Sequence, residues 1–216
     1  MRLHPGEVEA AGWRVEGLSG LVRRLLGAAP GVTGRPAVVA VDGRGGAGKS
    51  TLVERLRASV AASGVVRTDD VAWNHACFDW ADLLVDNVLR PLRRGEAVEF
   101  RPPAWVGHHR PGAIRVPAGV DVVWVEGTGV IREDLAPWID ASIWVQGDLD
   151  EQERRLAARD GDSVAQRRHV AGWLAEELPF MLREQLWRKA TVVVAGTTGL
   201  DHDPAGEVVT APPVTP

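Results

Sequence analysis

The sequence predicts a doubly wound α/β fold, in which a parallel sheet of about five strands is covered by helices on both faces. Three observations carry that expectation. Short β-prone runs recur at 36–42, 65–68, 120–125, 141–145 and 191–195, and most are apolar on consecutive residues, as strands buried on both faces are. Between these runs lie longer stretches with helical spacing, and alternation of strand and helix sets successive strands parallel. The first run leads into Gly43-Arg44-Gly45-Gly46-Ala47-Gly48-Lys49-Ser50. That segment fills every fixed position of G-x-x-x-x-G-K-[ST], a strand–loop–helix motif.

Composition narrows the field. The 216 residues are 45% hydrophobic and 25% charged, enough for one domain with a real core. The net charge is −4 and no long basic run exists, which excludes a nucleic-acid footprint. Lys49 and Lys189 are the two lysines among 25 Lys and Arg residues, so a lysine in the glycine loop stands out from its background. The single Cys77 excludes an internal disulfide and suits a reducing cytoplasm. No apolar run approaches ~18 residues, and no signal-peptide pattern opens the chain. The expectation is a cytoplasmic protein with no membrane partner. Nine tryptophans and no tyrosine are present; Trp73, Trp80 and Trp105 fall where a ligand could stack.

Residues 1–35 precede the glycine loop. Leu18, Leu21, Val22, Leu25 and Leu26 recur at helical spacing, predicting a helix over 16–28. AAPGVTGRP then breaks it, and the extension is expected to pack without chemistry. Strand 36–42, the loop and a helix over 49–62 form the first β–loop–α unit. Gly43, Gly45, Gly46, Ala47, Gly48, Lys49, Ser50 and Thr51 would wrap a triphosphate, the glycines letting successive N–H groups converge on one anion. The following helix adds its positive end. Lys49 would reach the β- and γ-phosphates, and Ser50 would ligate Mg²⁺.

After strand 65–68 comes Asp69-Asp70. Acids at the carboxyl end of a parallel strand favour a site; a solvated helix cap is the alternative. VAWNHACFDW at 71–80 mixes aromatics and polar groups without periodicity, and a helix over 80–94 follows, with Pro91 bending or ending it. Val98–Phe100 and Ile114–Val116 are β-like pieces around a loop carrying Trp105, His108, His109 and Arg110. That loop reads as a solvated hairpin tip or a substrate-contacting flap, and 70–117 as a whole as an acceptor-binding insert.

Val120–Val125 ends in Glu126-Gly127-Thr128-Gly129, an apolar strand closed by an acid. Beside a phosphate loop this is the Walker B pattern, with Glu126 near the metal. A short helix is expected over 131–137. Charged LDEQERRLAARD and a second helix over 162–187, with Pro179 as a kink, complete the helical set. Arginines at 154, 155, 159, 167 and 168 flank Asp160-Gly161-Asp162. They read as a solvated face with i,i+4 pairs or as an arginine lid over 154–172, since guanidinium groups match phosphate oxygens. The Pro/Gly-rich tail, 197–216, is expected to be mostly disordered.

The motifs VDGRGGAGKST (41–51), VRTDD (66–70), FDW (78–80), LRPLRRGEAVEF (89–100), VVWVEGTG (122–129) and RRLAARD (154–160) together resemble the uridine kinase-like branch of P-loop kinases, which also holds phosphoribulokinase and bacterial pantothenate kinase. The resemblance spans about 36–196. It implies a P-loop NTPase fold with an arginine-bearing lid, ATP and Mg²⁺ as cofactors and a small-molecule hydroxyl acceptor as partner, with a homodimer left open. It implies Asp69 as the base on the acceptor hydroxyl, Asp79 as holder of acceptor hydroxyls, and Trp105 and His109 as acceptor contacts, with Trp73 in the same insert. Glu126 would stand near the metal, and Arg155 and Arg159 on phosphates, with Arg159 counted beside Lys49 and Asp69 as catalytic. Two departures stand out: Val71-Ala72-Trp73 replaces the usual aromatic after the acid, and 104–110 matches the pyrimidine-reading segment only loosely. The alternatives are a phosphotransferase acting on a nucleoside-type natural product, or a nucleotide-gated switch, which the missing N-K-x-D motif disfavours.

Overall fold

The computed structural model describes residues 1–29 and 33–214; part of the break expected after the first helix, residues 30–32, lies outside them. In order, β1 (Arg14–Gly17) and α1 (Leu18–Ala28) precede β2 (Ala37–Gly43), α2 (Lys49–Ser59), β3 (Ser63–Arg67) and the single turn α3 (Thr68–Val71). A helical rod follows, α4 (Ala81–Leu84) and α5 (Arg90–Arg93) joined by a π-helical turn at Val85–Leu89. Next are β4 (Val98–Phe100), α6 (Pro103–Gly107), β5 (Ile114–Val116), β6 (Val122–Glu126), a 3₁₀ turn (Glu133–Trp138) and β7 (Ala141–Gln146). Then come α7 (Leu149–Asp160), α8 (Val164–Glu184), α9 (Leu186–Lys189), β8 (Val192–Ala195) and β9 (Glu207–Ala211).

The main sheet has seven strands in the order β1-β9-β8-β7-β2-β6-β3. The five expected strands are its contiguous parallel block, β8-β7-β2-β6-β3. The sequence reading omits the other two. β9 adds antiparallel to β8, and β1 antiparallel to β9, with Arg14 opposite Thr210. The tail expected to be disordered therefore supplies a sheet strand in which Val208, Val209, Thr210 and Ala211 are buried. Its Pro/Gly flanks hid a five-residue strand that is short but fully covered.

Each central strand feeds two cores, which explains its unbroken apolar run. Val38 and Ala40 face one core with Val123, Val125, Trp80, Leu84 and Leu89. Val39 and Val41 face the other with Trp124, Leu52, Leu56, Leu21 and Leu25. Helix α1 reaches that second core because Leu18, Leu21, Val22 and Leu25 share one face. Truncating a buried tryptophan such as Trp124 costs roughly 3–5 kcal/mol in such cores. Pro91 does not end its helix. It lacks an N–H for the Asn87 carbonyl, and the chain answers with a wider turn in which Arg90 N–H donates to Val85 O. Likewise α8 runs through Pro179 without interruption. Among the described residues no helix is long and apolar enough to cross a membrane.

Candidate functional site

The carboxyl ends of β2, β3, β6 and β7 meet at the phosphate loop, because all four run in the same direction. The loop folds tightly against α7. Gly46 sits at φ 73°, and a Cβ there would lie 2.6 Å from the Gln152 carbonyl oxygen, so only glycine fits. Gly48 caps α2 at φ 101° with no side-chain hydrogen bond, leaving the helix's first N–H groups to an anion. The Lys49 ammonium folds back over the loop, donating to Arg44 O at 2.9 Å and Thr128 Oγ1 at 3.4 Å. Thr128 in turn donates to Gly43 O. Beneath them the buried Asp42 carboxylate accepts N–H groups of Gly43, Gly129 and Ile131. Burial still pushes its pKa up to about 6. Asp42 ties the phosphate loop to the 127–131 loop, a role the sequence reading missed because it closes an apolar strand and reads as a turn residue.

Ser50 Oγ donates to Glu126 Oε1 at 3.2 Å. Burial raises the Glu126 pKa, the Lys49 charge opposes this, and Asp69 adds to it. A hydroxyl and a carboxylate this close are hard oxygen donors of the kind Mg²⁺ takes alongside phosphates, so the residues fit that ion.

Asp69 and Asp70 lie on the turn α3. Asp70 is tied down: Arg110 bonds its carboxylate at 2.6 Å, and Trp105 Nε1 donates to its carbonyl at 2.9 Å. Asp69 is exposed at the sheet edge and its side chain makes no hydrogen bond among the described residues, yet its charge reaches Glu126 and Arg159.

The insert differs from expectation in its detail. Trp105 is 5% exposed, belongs to the core and carries the Arg110 guanidinium 3.7 Å above its ring, so its face is not open to a ligand. The same guanidinium stands 5.1 Å from the centre of the Trp73 ring. The imidazole that meets this ring is His108, edge-on at 5.5 Å; His109, like His108 exposed, has a φ of 55°. Asp79 is exposed beside Phe78, which stacks on Phe180 of α8 at 4.1 Å. What looked like a hairpin tip holds the helix α6.

Of the arginines, Arg155 reaches the phosphate loop, donating to Gly46 O at 3.3 Å and Gly196 O at 3.1 Å while Glu151 holds its Nε. Arg159 is paired twice with Asp160 at 2.7 Å, and Arg167 with Asp162. A cleft of about 290 Å³ opens beside Arg155, lined by Gly48, Thr51, Arg55, Gly196, Thr198 and His202. Val208 and Val209 of β9 close it, so the tail builds a wall of the site. A larger cavity, about 530 Å³, lies at the other end of the sheet near Leu26, Gly95 and Asp121. It holds none of the phosphate-loop groups, and chemistry favours the smaller cleft.

No protein-family model matches the chain, and no curated protein matches its sequence. Among solved structures, it is similar to a protein of Silicibacter sp. TM1040 provisionally described as a fructose transport system kinase, at 22% identity and a TM-score of 0.52, over 66% of this chain and 80% of that one. It also matches a protein of Bacillus stearothermophilus provisionally described as a uridine kinase, at 16% identity and a TM-score of 0.46, over 82% of this chain and 96% of that one. The first likeness gives a shared fold.

Proposed function

We propose, for a chain with the fold of P-loop kinases, that it is an ATP- and Mg²⁺-dependent phosphotransferase acting on a hydroxyl of a small, nucleoside-like metabolite. One observation carries the reading: at one sheet edge the Lys49 ammonium, the Ser50–Glu126 pair and an unengaged Asp69 converge. Lys49 exchanges Arg44 O for β- and γ-phosphate oxygens. Ser50 and Glu126 hold Mg²⁺, which when bound neutralises charge on those oxygens. Asp69 accepts the proton of the acceptor hydroxyl as its oxygen bonds to the γ-phosphorus, and the bond from that phosphorus to the bridging oxygen breaks to release ADP. Arg155 already spans the loop and the cleft where the base would sit. Arg159 contributes if it trades Asp160 for phosphate as the lid closes. Trp73, with His108 beside it, is the better stacking surface for an acceptor, with Asp79 across the insert for its hydroxyls.

The test is a screen of nucleosides, pantothenate and sugars for acceptor-dependent ADP release, run on the wild type and on Lys49→Ala. Release by the wild type with at least one acceptor, lost in a folded Lys49→Ala protein, is the expected result. Equal turnover in the variant, or ATP binding with no release for any acceptor, would overturn the assignment.

A further inference from the structure

The N-terminal residues reach the phosphate loop. Glu7 is 3% exposed in its side chain and its Oε2 accepts from Arg44 Nε at 2.8 Å. Its other oxygen accepts from Trp144 Nε1 and Gln146 Nε2, each at 3.2 Å, so the carboxylate is fixed from two strand positions and one loop position. Gln146 also clamps the neighbouring backbone, donating to Val8 O and accepting from Ala10 N–H. Arg44 is 3% exposed and a second buried acid, Glu177 of α8, stands 3.6 Å from its NH1. Neither NH1 nor NH2 of Arg44 makes a hydrogen bond. Among the described residues the Glu7 bond is therefore the single directional contact on that guanidinium, and the Glu177 contact is one of charge alone.

The same residue supplies the shelf for the lysine. Arg44 O receives the Lys49 ammonium at 2.9 Å, so Arg44 is held at its side chain by Glu7 and holds Lys49 at its carbonyl. The first residues of the same N-terminal segment meanwhile cap α7: Arg2 N–H donates to Asp148, and Leu149 N–H donates to Arg2 O. That helix carries Arg155.

We propose that Glu7 is a positioning residue of the nucleotide site, which through the buried Arg44 sets the loop backbone that presents Lys49 to phosphate. This rests on the loop binding nucleotide, the first half of the proposed function. A charged anchor fixes the Arg44 peptide, and a peptide shift of a fraction of an ångström displaces the ammonium of Lys49 with it. A structural bond alone would lower stability and leave the affinity of the folded protein untouched.

The experiment is calorimetric titration of ATP with Mg²⁺ into the full chain, each variant held well below its own unfolding temperature. Glu7→Gln keeps the shape and removes the charge, and its Kd should rise about tenfold. If the effect runs through the lysine, Glu7→Gln in a Lys49→Ala background should add nothing to the loss from Lys49→Ala. An unchanged Kd for Glu7→Gln, or fully additive losses, would overturn the proposal. Should Glu7→Gln fail to fold, Glu7→Gln with Arg44→Met and Glu177→Gln removes all three buried charges together, which buried ion clusters often tolerate. The same tenfold loss is expected there, and wild-type affinity would refute the anchor. A wild type that binds no ATP would instead overturn the nucleotide reading, and this inference with it.

Discussion

Two neighbouring carboxylates separate by what holds them. Asp70 is fastened by Arg110 and Trp105, and Asp69 is left to the site. The resemblance implies Asp69 as the base on the acceptor hydroxyl, and the ion pair on Asp70 supports that proposal. On the turn α3 the two side chains are about 100° apart. Asp69→Asn should lower kcat by about 10²–10⁴-fold, as loss of a positioned base does, with ATP affinity held within a few-fold. Asp70→Asn should instead loosen the Arg110 shelf and raise the acceptor KM more than it lowers kcat. Steady-state kinetics of both variants decide the matter, and a dead Asp70→Asn beside an active Asp69→Asn reverses the assignment. Lys49, Ser50 and Glu126 were legible because each occupies a motif position whose neighbours fix its geometry. Trp105 was misjudged because an indole in a loop says nothing about which of its faces is already covered. Asp42, Glu7 and Glu177 were illegible for a related reason: their partners lie far along the chain, and no local pattern announces a buried acid.

At the scale of elements, the least expected is β9. It pairs with β8 and β1, and Arg55 of α2 donates to Glu207 O at 2.6 Å. It therefore braces the phosphate-loop helix from outside while walling the cleft beside Arg155. Deleting residues 206–216 uncovers Val194 and removes the burial of Val208 and Val209, a loss of at least about 3 kcal/mol. For a chain of this size the unfolding temperature should fall by about 10 °C. Thermal unfolding with and without ATP checks both roles, since the rise given by ATP should also shrink. An unaltered melting temperature would mean that the strand is dispensable. The central parallel strands were readable because burial on both faces demands consecutive apolar residues, whereas the short buried run of β9 stands between Pro- and Gly-rich flanks that read as a tail. The π-turn before Pro91 was readable only as a disturbance, since proline removes a donor without stating how the helix accommodates it.

For the whole molecule, the buried Asp42 and the half-buried His4 set opposite responses to acid. Asp42, raised to about 6 from 3.8 by burial, holds its proton longer folded than unfolded. Its stabilising contribution is greatest below the unfolded value and is lost as pH rises from 3.8 to about 6. His4, lowered from 6.5 to about 4 by burial and then by Arg44 and Arg2, works the other way. Its contribution is present above 6.5 and is lost as pH falls toward 4. The windows overlap, so the wild type should show a flattened pH profile. Removing the histidine by His4→Gln should expose the Asp42 slope, with unfolding free energy declining as pH rises from 4 to 6. Denaturant unfolding at pH 4, 5, 6 and 7 measures this, and a variant profile superimposable on the wild type would dismiss His4 from it.

The pairing of Arg14–Gly17 with Glu207–Ala211 sets an order of events as the chain is made. Synthesis runs from the amino end, so the phosphate loop and the five parallel strands are complete before residues 207–211 exist. Until they emerge, residues 14–17 have no partner in the sheet, and the segment before them that reaches Arg44 is tethered only through its own contacts. Such long-range pairing also closes late for entropic reasons. A nascent chain arrested just short of residue 207 would own every motif of the candidate site while residues 14–17 still wait for a place in the sheet, and full anchorage of the segment before them would follow the emergence of residues 207–211.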